Sequence, residues 1–99
     1  MKTKLRVHNL IYQYFLLRIH FQYYQYGDTL PSIDTLCRAF SVSAQTVTTA
    51  LQQLRAEGYI DMHNGRQTKV LFRQTEEEYK AFTRRFFSER LTAASDLAR

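Results

Sequence analysis

The sequence predicts a mainly helical domain with one small β-hairpin, followed by a further helix. Apolar residues recur at helical spacing in three stretches between residues 5 and 57. Two short alternating segments follow, joined by the Asn64-Gly65 turn signal, and a capping box at Thr75 starts a fourth helical stretch. Helix, helix, tight turn, helix and hairpin in this order make a winged helix-turn-helix. The predicted architecture is therefore three helices plus a two-stranded wing, with a C-terminal helix behind them.

The first helix is predicted from about Leu5 to Tyr24, and its apolar face is wide. Two rows of apolar residues at helical spacing form this face: Leu10, Tyr14, Leu17 and Phe21 in one, and Ile11, Phe15 and Ile19 in the other. A lone small domain rarely needs so broad a stripe. We therefore expect one row to cover the domain core and the other to cover a partner chain.

Two serines place the next two helices. Ser32 follows a proline and can cap a second helix that runs from about Ser32 to Phe40, and Ser43 can cap a third helix over residues 44–57. Ser41 and Val42 separate the second helix from the third. Cys37 falls on the inward face of the second helix, with no second cysteine or nearby histidine, so we expect it to be a buried small hydrophobe.

The third helix has two contrasting faces. Val47, Leu51 and Leu54 are predicted to face inward, while the opposite face is polar and almost uncharged. That polar face carries Ala44, Gln45, Thr46, Thr48, Thr49, Gln52 and Gln53. A polar face is most often simply solvated, but short hydroxyls and amides can also donate and accept hydrogen bonds toward base edges and phosphates.

The hairpin is predicted from residues 59–62 and 68–72, after Gly58 ends the third helix. Its tip concentrates basic residues, namely His63, Arg66 and Lys69. An ordinary surface hairpin does not need such a cluster of cations.

The fourth helix is predicted over residues 76–97, with acidic residues in its first turn. Its apolar stripe contains Tyr79, Phe82, Phe86, Leu91 and Ala94. This stripe either lies back on the first helix or pairs with another subunit, and we favour the second arrangement. We divide the chain into a winged helix-turn-helix domain at residues 1–73 and a C-terminal helix at residues 74–99, which serves as a linker or a dimerisation helix.

Composition narrows the possible functions. The net charge is +5, and residues 1–74 carry nine Lys and Arg against four Asp and Glu, so an anionic partner belongs to this part of the chain. The single cysteine and the lack of a long apolar run predict a cytoplasmic protein without an internal disulfide or a membrane segment. No metal-ligand spacing, phosphate-binding loop or catalytic constellation is visible. We expect no enzyme activity, no cofactor and no metal, including at His8, His20, His63 and Cys37.

Several motifs in the correct order and spacing resemble the winged helix-turn-helix domain of the GntR family of bacterial transcription regulators. They are Gly27-Asp28-x-Leu30-Pro31-Ser32, Val42-Ser43-x-x-Thr46-Val47, Ala50-Leu51-x-x-Leu54-x-x-Glu57-Gly58-Tyr59-Ile60, and Asn64-Gly65-Arg66. The resemblance covers about residues 10–72. It implies a repressor or activator that binds operator DNA as a dimer, with the third helix in the major groove and the wing in the minor groove.

The residues and the resemblance together indicate a set of DNA contacts. Backbone N–H groups at the start of the third helix would hold a phosphate, amide and hydroxyl side chains would read bases, and basic residues would contact phosphates. The predicted DNA-binding residues are Ser32, Arg38, Ser43, Ala44, Gln45, Thr46, Thr48, Thr49, Gln52, His63, Gly65, Arg66 and Lys69.

This sequence departs from the family pattern at several positions. Many members have basic residues where this chain has Asp34, Ala44 and Thr48, and glycines where it has Gln22 and Gln67. No familiar operator sequence can therefore be carried over. The departures also keep an alternative open, in which the winged helix serves as a dimerisation or protein-interaction module without specific DNA binding.

The partners expected are double-stranded DNA and a second copy of the chain. GntR relatives usually continue into an effector-binding domain or a short helical tail, and 25 residues follow Gln74 here. We expect a small-molecule effector only if a further domain exists. The chain is then either a minimal dimeric regulator or the DNA-binding part of a longer sensor.

Overall fold

The computed structural model describes residues 2–62 and 67–97, and the side chains of residues 7–62 and 67–91. Within these described residues, four helices and two short strands follow one another in the predicted order. They are α1 (Lys2–His20), α2 (Ile33–Phe40), α3 (Ala44–Ala56), β1 (Ile60–Asp61), β2 (Lys69–Val70) and α4 (Glu76–Leu97). The predicted fold class, mainly helical with a small antiparallel hairpin, is confirmed.

The core is formed where α1 crosses α3. The inner row of α1, Ile11, Phe15 and Ile19, is buried. It meets Val47, Leu51 and Leu54 of α3, whose inward orientation is as predicted. The second row of α1 lies outside this core, since Leu10 is 67% exposed and Tyr14 is 37% exposed.

α1 ends at His20, four residues earlier than predicted. The backbone N–H groups of Tyr23 and Tyr24 both donate to the carbonyl of Arg18, at 2.8 and 3.2 Å. Gln22 takes a left-handed conformation with φ 65°. A left-handed residue ends an α-helix, so the chain turns here although the apolar spacing continues.

The two serine caps have the predicted geometry. The Ser32 hydroxyl accepts a hydrogen bond from the backbone N–H of Thr35, and the Ser43 hydroxyl accepts one from Thr46. Ser41 stops α2 in a left-handed conformation, with φ 56°. Cys37 packs against the core but is only half-buried, less than we expected.

Gly58 ends α3 in a Schellman motif. Its φ is +86°, its N–H donates to the carbonyl of Arg55, and the N–H of Tyr59 donates to the carbonyl of Leu54, both at 3.0 Å. The neighbouring Glu57 carboxylate accepts a hydrogen bond from the Tyr12 hydroxyl of α1. Burial raises the pKa of Tyr12, and this hydrogen bond raises it further. The end of α3 is thus fixed to the middle of α1.

The hairpin is shorter than predicted and is extended by the loop before α2. Ile60 pairs with Val70 in the antiparallel register. Thr29 forms an isolated bridge with Lys69, and the backbone N–H of Leu30 donates to the carbonyl of Thr68 at 2.9 Å. Residues 63–66, where the sequence predicts the turn, lie outside the described residues.

The first half of α4 packs against the end of α1. Thr75 and Glu78 form the predicted capping box through reciprocal bonds of 2.8 and 3.1 Å. Phe82 contacts Phe21 with ring centroids 5.1 Å apart, and Phe86 contacts the same ring at 5.0 Å. The contact with the first helix, which we considered the less favoured arrangement, is therefore present. Apolar residues on the outer side of α4 remain exposed, Phe87 by 51% and Leu91 by 67%.

His20 lies at the junction of α1, the hairpin and α4. Its ring stacks on Phe82, with centroids 4.4 Å apart and an 18° angle between planes, and its Nε2 lies 3.1 Å from the Tyr59 hydroxyl. Its backbone carbonyl accepts a 2.7 Å hydrogen bond from the Gln74 amide. Burial lowers the pKa of His20, and the positive charge of Arg85 lowers it further.

This environment predicts a pH dependence of stability. Since the pKa of His20 is lowered in the folded chain, the unfolded chain binds the proton more readily. The stabilisation from neutral His20 is therefore complete above the ordinary value of 6.5 and is lost as the pH falls from there through the lowered pKa of the folded chain. We expect the free energy of unfolding, measured with urea, to fall less between pH 7.5 and 5.5 in His20→Phe than in the original chain. In the control His8→Gln the fall should persist; an equal fall in His20→Phe would contradict the assignment.

The left-handed turn predicts a stabilising substitution. A non-glycine residue at positive φ carries a conformational cost, so Gln22→Gly should raise the free energy of unfolding by about 0.5 to 1 kcal/mol. Gln25→Gly is a matched control in the same loop, because Gln25 is not at positive φ. Glycine at Gln25 should lower the stability through its greater freedom in the unfolded chain. Urea unfolding of both variants tests this, and stabilisation by both or by neither would contradict it.

Candidate nucleic-acid interface

The start of α3 is exposed and capped. Ser43 and Ala44 are exposed, and the hydroxyls of Ser43 and Thr46 lie 3.0 Å apart. The first N–H groups of a helix have no partner within the helix, and they carry the positive end of its dipole. An anion such as a phosphate is favoured at this position.

The outer face of α3 presents amides and hydroxyls. Gln45 and Gln52 are exposed, while Thr46, Thr48 and Thr49 are half-buried. The Thr49 hydroxyl donates to the Gln45 carbonyl at 2.8 Å, and the Gln45 amide lies 3.4 Å from the same hydroxyl. The hydroxyl hydrogen of Thr49 is therefore already used within the helix. Its methyl group and the Gln45 amide remain as the groups that a base could meet.

The outer face of α2 carries an ion pair that was not predicted from the sequence. Arg38 Nη1 donates to Asp34 Oδ2 at 2.6 Å, with both side chains more than 70% exposed. The spacing of four residues along a helix is the signal that could have revealed it. The positive charge of Arg38 is thus partly countered by Asp34. Ser32, at the start of the same helix, uses its hydroxyl as a cap.

On the hairpin, Lys69 is exposed at the edge where β2 pairs with β1. Three other predicted contacts, His63, Gly65 and Arg66, lie outside the described residues. The structure thus gathers seven predicted residues on or beside the outer face of α3, places Ser32 and Arg38 on α2, and places Lys69 on the wing. The seven are Ser43, Ala44, Gln45, Thr46, Thr48, Thr49 and Gln52.

The part of the chain that the structure describes offers little for other kinds of site. No group of three or more His, Cys, Asp or Glu side chains in it could hold a metal ion. Among its helices, none combines the length and the apolar character that a membrane span requires.

Comparison with known proteins agrees with this geometry. The family model for bacterial regulatory proteins of the gntR family matches residues 8–70. No curated protein matches the chain. Among solved structures, a GntR family transcriptional regulator from Listeria monocytogenes superposes with a TM-score of 0.70 at 20% identity, over 93% of this chain and 82% of that one.

Two further structures are similar. YtrA from Sulfolobus acidocaldarius, a GntR-family transcription factor, has a TM-score of 0.61 at 25% identity, over 88% of this chain and 74% of its own. The possible transcriptional regulator YydK from Bacillus subtilis has a TM-score of 0.63 at 28% identity, over 71% of this chain. The match spans only 31% of YydK.

The family match covers the whole helix-turn-helix and the hairpin up to Val70, and the structural neighbours share the arrangement of these elements. Members of this family are DNA-binding transcription factors, which agrees with the expectation that the chain is not an enzyme. The chain belongs to the GntR family of bacterial transcriptional regulators and carries its winged helix-turn-helix DNA-binding domain.

Proposed function

We propose that this chain is a sequence-specific regulator that binds operator DNA as a homodimer in the cytoplasm, with α3 in the major groove and the hairpin at residues 59–72 in the adjacent minor groove. The observation that carries the proposal is the contrast between the two faces of α3. One face is fixed in the core, since Val47, Leu51 and Leu54 are fully buried, so the helix cannot rotate about its own axis. Its other face displays uncharged amides and hydroxyls to a partner.

The start of α3 would dock on a phosphate. The Ser43 and Thr46 hydroxyls are neighbours there, and the helix dipole favours an anion. A contact of this kind fixes the register of the helix on the duplex without reading sequence. The side chains that follow are then aimed at base edges.

Base reading falls to Gln45, Thr48, Thr49 and Gln52. A glutamine amide can pair with N6 and N7 of adenine, and a threonine methyl can contact the methyl of thymine. This fits Thr49, whose hydroxyl hydrogen is held by the backbone. Each base pair read in this way contributes roughly 1–3 kcal/mol of discrimination. We expect a preference for A·T pairs at these positions, since none of these four side chains is an arginine that could form two hydrogen bonds with guanine.

Basic residues around this face would add affinity for any duplex. Arg38, Arg66 and Lys69 supply charge at α2 and the wing, and binding through them weakens as salt rises. We expect Ser32, Ala44, His63 and Gly65 to lie in the same interface, close to the sugar-phosphate backbone of the DNA.

Exposed apolar residues support the dimer. Leu10 on α1, and Phe87 and Leu91 on α4, are more than half exposed within the described chain, and Tyr14 on α1 is 37% exposed. A second copy would cover these side chains and place two α3 helices on half-sites. Such half-sites are about 34–36 Å apart, or a multiple of this distance.

The experiment that tests this function is selection of bound sequences from a random duplex pool, at two salt concentrations. Enrichment of a palindrome with half-sites one turn apart would support a dimeric, sequence-specific regulator. Binding without enrichment that fades steeply with salt would contradict specificity and leave only phosphate contacts.

A second candidate is an interaction module without specific DNA binding. The ion pair between Arg38 and Asp34 favours it, because it partly cancels the charge on the outer face of α2. Ala44 and Thr48, where relatives often carry basic residues, point the same way. Complete absence of binding in the selection experiment would support this candidate.

The division between base reading and phosphate binding predicts two kinds of variant. Gln45→Ala should lower affinity for the selected sequence by about 1–3 kcal/mol while leaving affinity for scrambled DNA nearly unchanged. Arg66→Ala should weaken binding to both duplexes in similar proportion and reduce the salt dependence by about one counterion. Fluorescence anisotropy titrations against both duplexes measure the two effects.

The control for this pair is Gln25→Ala, which removes an exposed glutamine from the loop after α1, away from α3 and from the proposed dimer surface. It should change neither affinity nor preference. Equal losses on both duplexes for Gln45→Ala would contradict its role in base reading.

The ion pair on α2 predicts a gain of affinity. Asp34→Asn removes a negative charge from the interface and frees the Arg38 guanidinium for a phosphate. We expect tighter binding to every duplex, by about 1 kcal/mol or roughly fivefold, with a steeper salt dependence. Glu77→Gln, which makes the same charge change on α4, is the matched control and should have a smaller effect. An equal gain from both variants would show that only net charge matters.

A further inference from the structure

A cavity of about 270 Å³ lies on the side of the domain formed by the loop after α1 and the segment that follows β2. Ile19 and Phe72 supply apolar surface, and Gln22, Gln25 and Gln74 supply amide groups. Its remaining lining includes Arg73 but no aspartate or glutamate. A cavity of about 150 Å³ can hold benzene, so this space is large enough for a small organic molecule.

Arg73 is the only charged side chain in this lining. Its guanidinium carbon lies 3.8 Å above the centre of the Tyr26 ring. Among the described residues, no carboxylate is paired with it. A guanidinium that stacks on a ring by its face keeps its N–H edge available, and this edge matches a carboxylate with two parallel hydrogen bonds.

Gln22 supplies a second, independent observation. It lines the cavity in a left-handed backbone conformation, with φ 65°. Glycine would take this conformation without strain, and residues kept in strained conformations concentrate at functional sites. The side chain of Gln22 makes no hydrogen bond within the described residues. The exposed amide of Gln22 is therefore available to a ligand at the cavity, on a backbone held in a costly conformation.

Gln74 connects the cavity to the rest of the molecule. Its amide nitrogen donates to the His20 carbonyl, which leaves its oxygen as an acceptor, and it lies directly before the capping box of α4. Phe72 contacts the His20 ring at 4.8 Å, and that ring stacks on Phe82 of α4. An occupant of the cavity would thus contact the segment that leads into α4.

We propose that this cavity binds a small aromatic carboxylate. The carboxylate takes the N–H edge of Arg73, the ring lies against Ile19 and Phe72, and the amides of Gln22 and Gln25 complete the polar contacts. This site is separate from the DNA-binding face and does not depend on it. It would also place a ligand within the described chain. From the sequence we expected an effector only if a further domain exists.

The test is an NMR titration of the full chain, labelled with ¹⁵N, with benzoate as the probe. We expect saturable shifts centred on Gln22, Arg73 and Gln74, with a dissociation constant on the order of 1 mM for so small a ligand. Benzamide has the same ring without the charge, and acetate has the charge without the ring. Both should bind at least about tenfold more weakly, since each lacks one of the two contacts.

Variants separate this site from general attraction to a basic protein. Arg73→Gln should weaken benzoate binding about tenfold, and Arg73→Lys should restore only part of it, because lysine lacks the planar edge. Arg84→Gln removes an exposed cation from α4 and should leave binding unchanged. Gln22→Gly should weaken binding two- to threefold. The spectrum of each unliganded variant reports whether it is folded.

Two outcomes would overturn the proposal. One is a titration in which benzoate and benzamide bind equally, or in which the shifts do not saturate. The other is benzoate binding that survives in folded Arg73→Gln or falls equally in Arg84→Gln. Neither outcome bears on DNA binding, so the failure of this inference and the failure of the proposed function are distinguishable.

Discussion

The packing of α1 across α3 is the constraint on which the rest of the structure depends. Phe15, Leu51 and Leu54 are fully excluded from solvent at this contact, and each buried side chain of this size stabilises the fold by roughly 1.5–3 kcal/mol. Because one face of α3 is committed in this way, the opposite face is presented to solvent in a fixed orientation. The Schellman motif at Gly58 then directs the chain into the hairpin, so the wing is positioned by the same contact.

The charge distribution of the interface separates affinity from specificity. The outer face of α3 carries one charge, that of Arg55 in its last turn, and the other cations near it lie on α2 and the hairpin. In the proposed complex, phosphate contacts from these cations would be nearly the same for every sequence, whereas amide and hydroxyl contacts would depend on the bases. Asp34 would limit the first kind of contact through its pair with Arg38. Weaker non-specific binding increases the fraction of protein that is free to occupy its true sites.

Local signals predicted the parts of this fold that are stabilised locally. The caps at Ser32, Ser43 and Thr75 were found because a hydroxyl near a helix start has one dominant use. The end of α1 was misplaced, since apolar spacing continues past a left-handed Gln22 that only the backbone reveals. Placement of α4 on α1 was not favoured, because the contact between Phe82 and Phe21 joins residues distant in sequence. For the candidate site, the polar face of α3 could be predicted from the helical spacing of its residues. The hydrogen bonds among its side chains could not.

The junction at His20 joins the end of α1 and the hairpin to α4. Its contacts differ in kind from those in the core. α3 is held by fully buried apolar side chains, while α4 is held by aromatic rings of intermediate burial and by the amide of Gln74. Because α4 has fewer buried contacts, separating it from the rest of the fold costs less free energy than displacing α3. α4 is therefore the element that can move while the outer face of α3 stays intact. In a dimer that pairs through α1 and α4, a small rotation of α4 would alter the distance between the two reading helices. In the proposed dimer, regulation would act on the spacing of half-sites through this junction, and it would not require any change in the residues proposed to read the DNA.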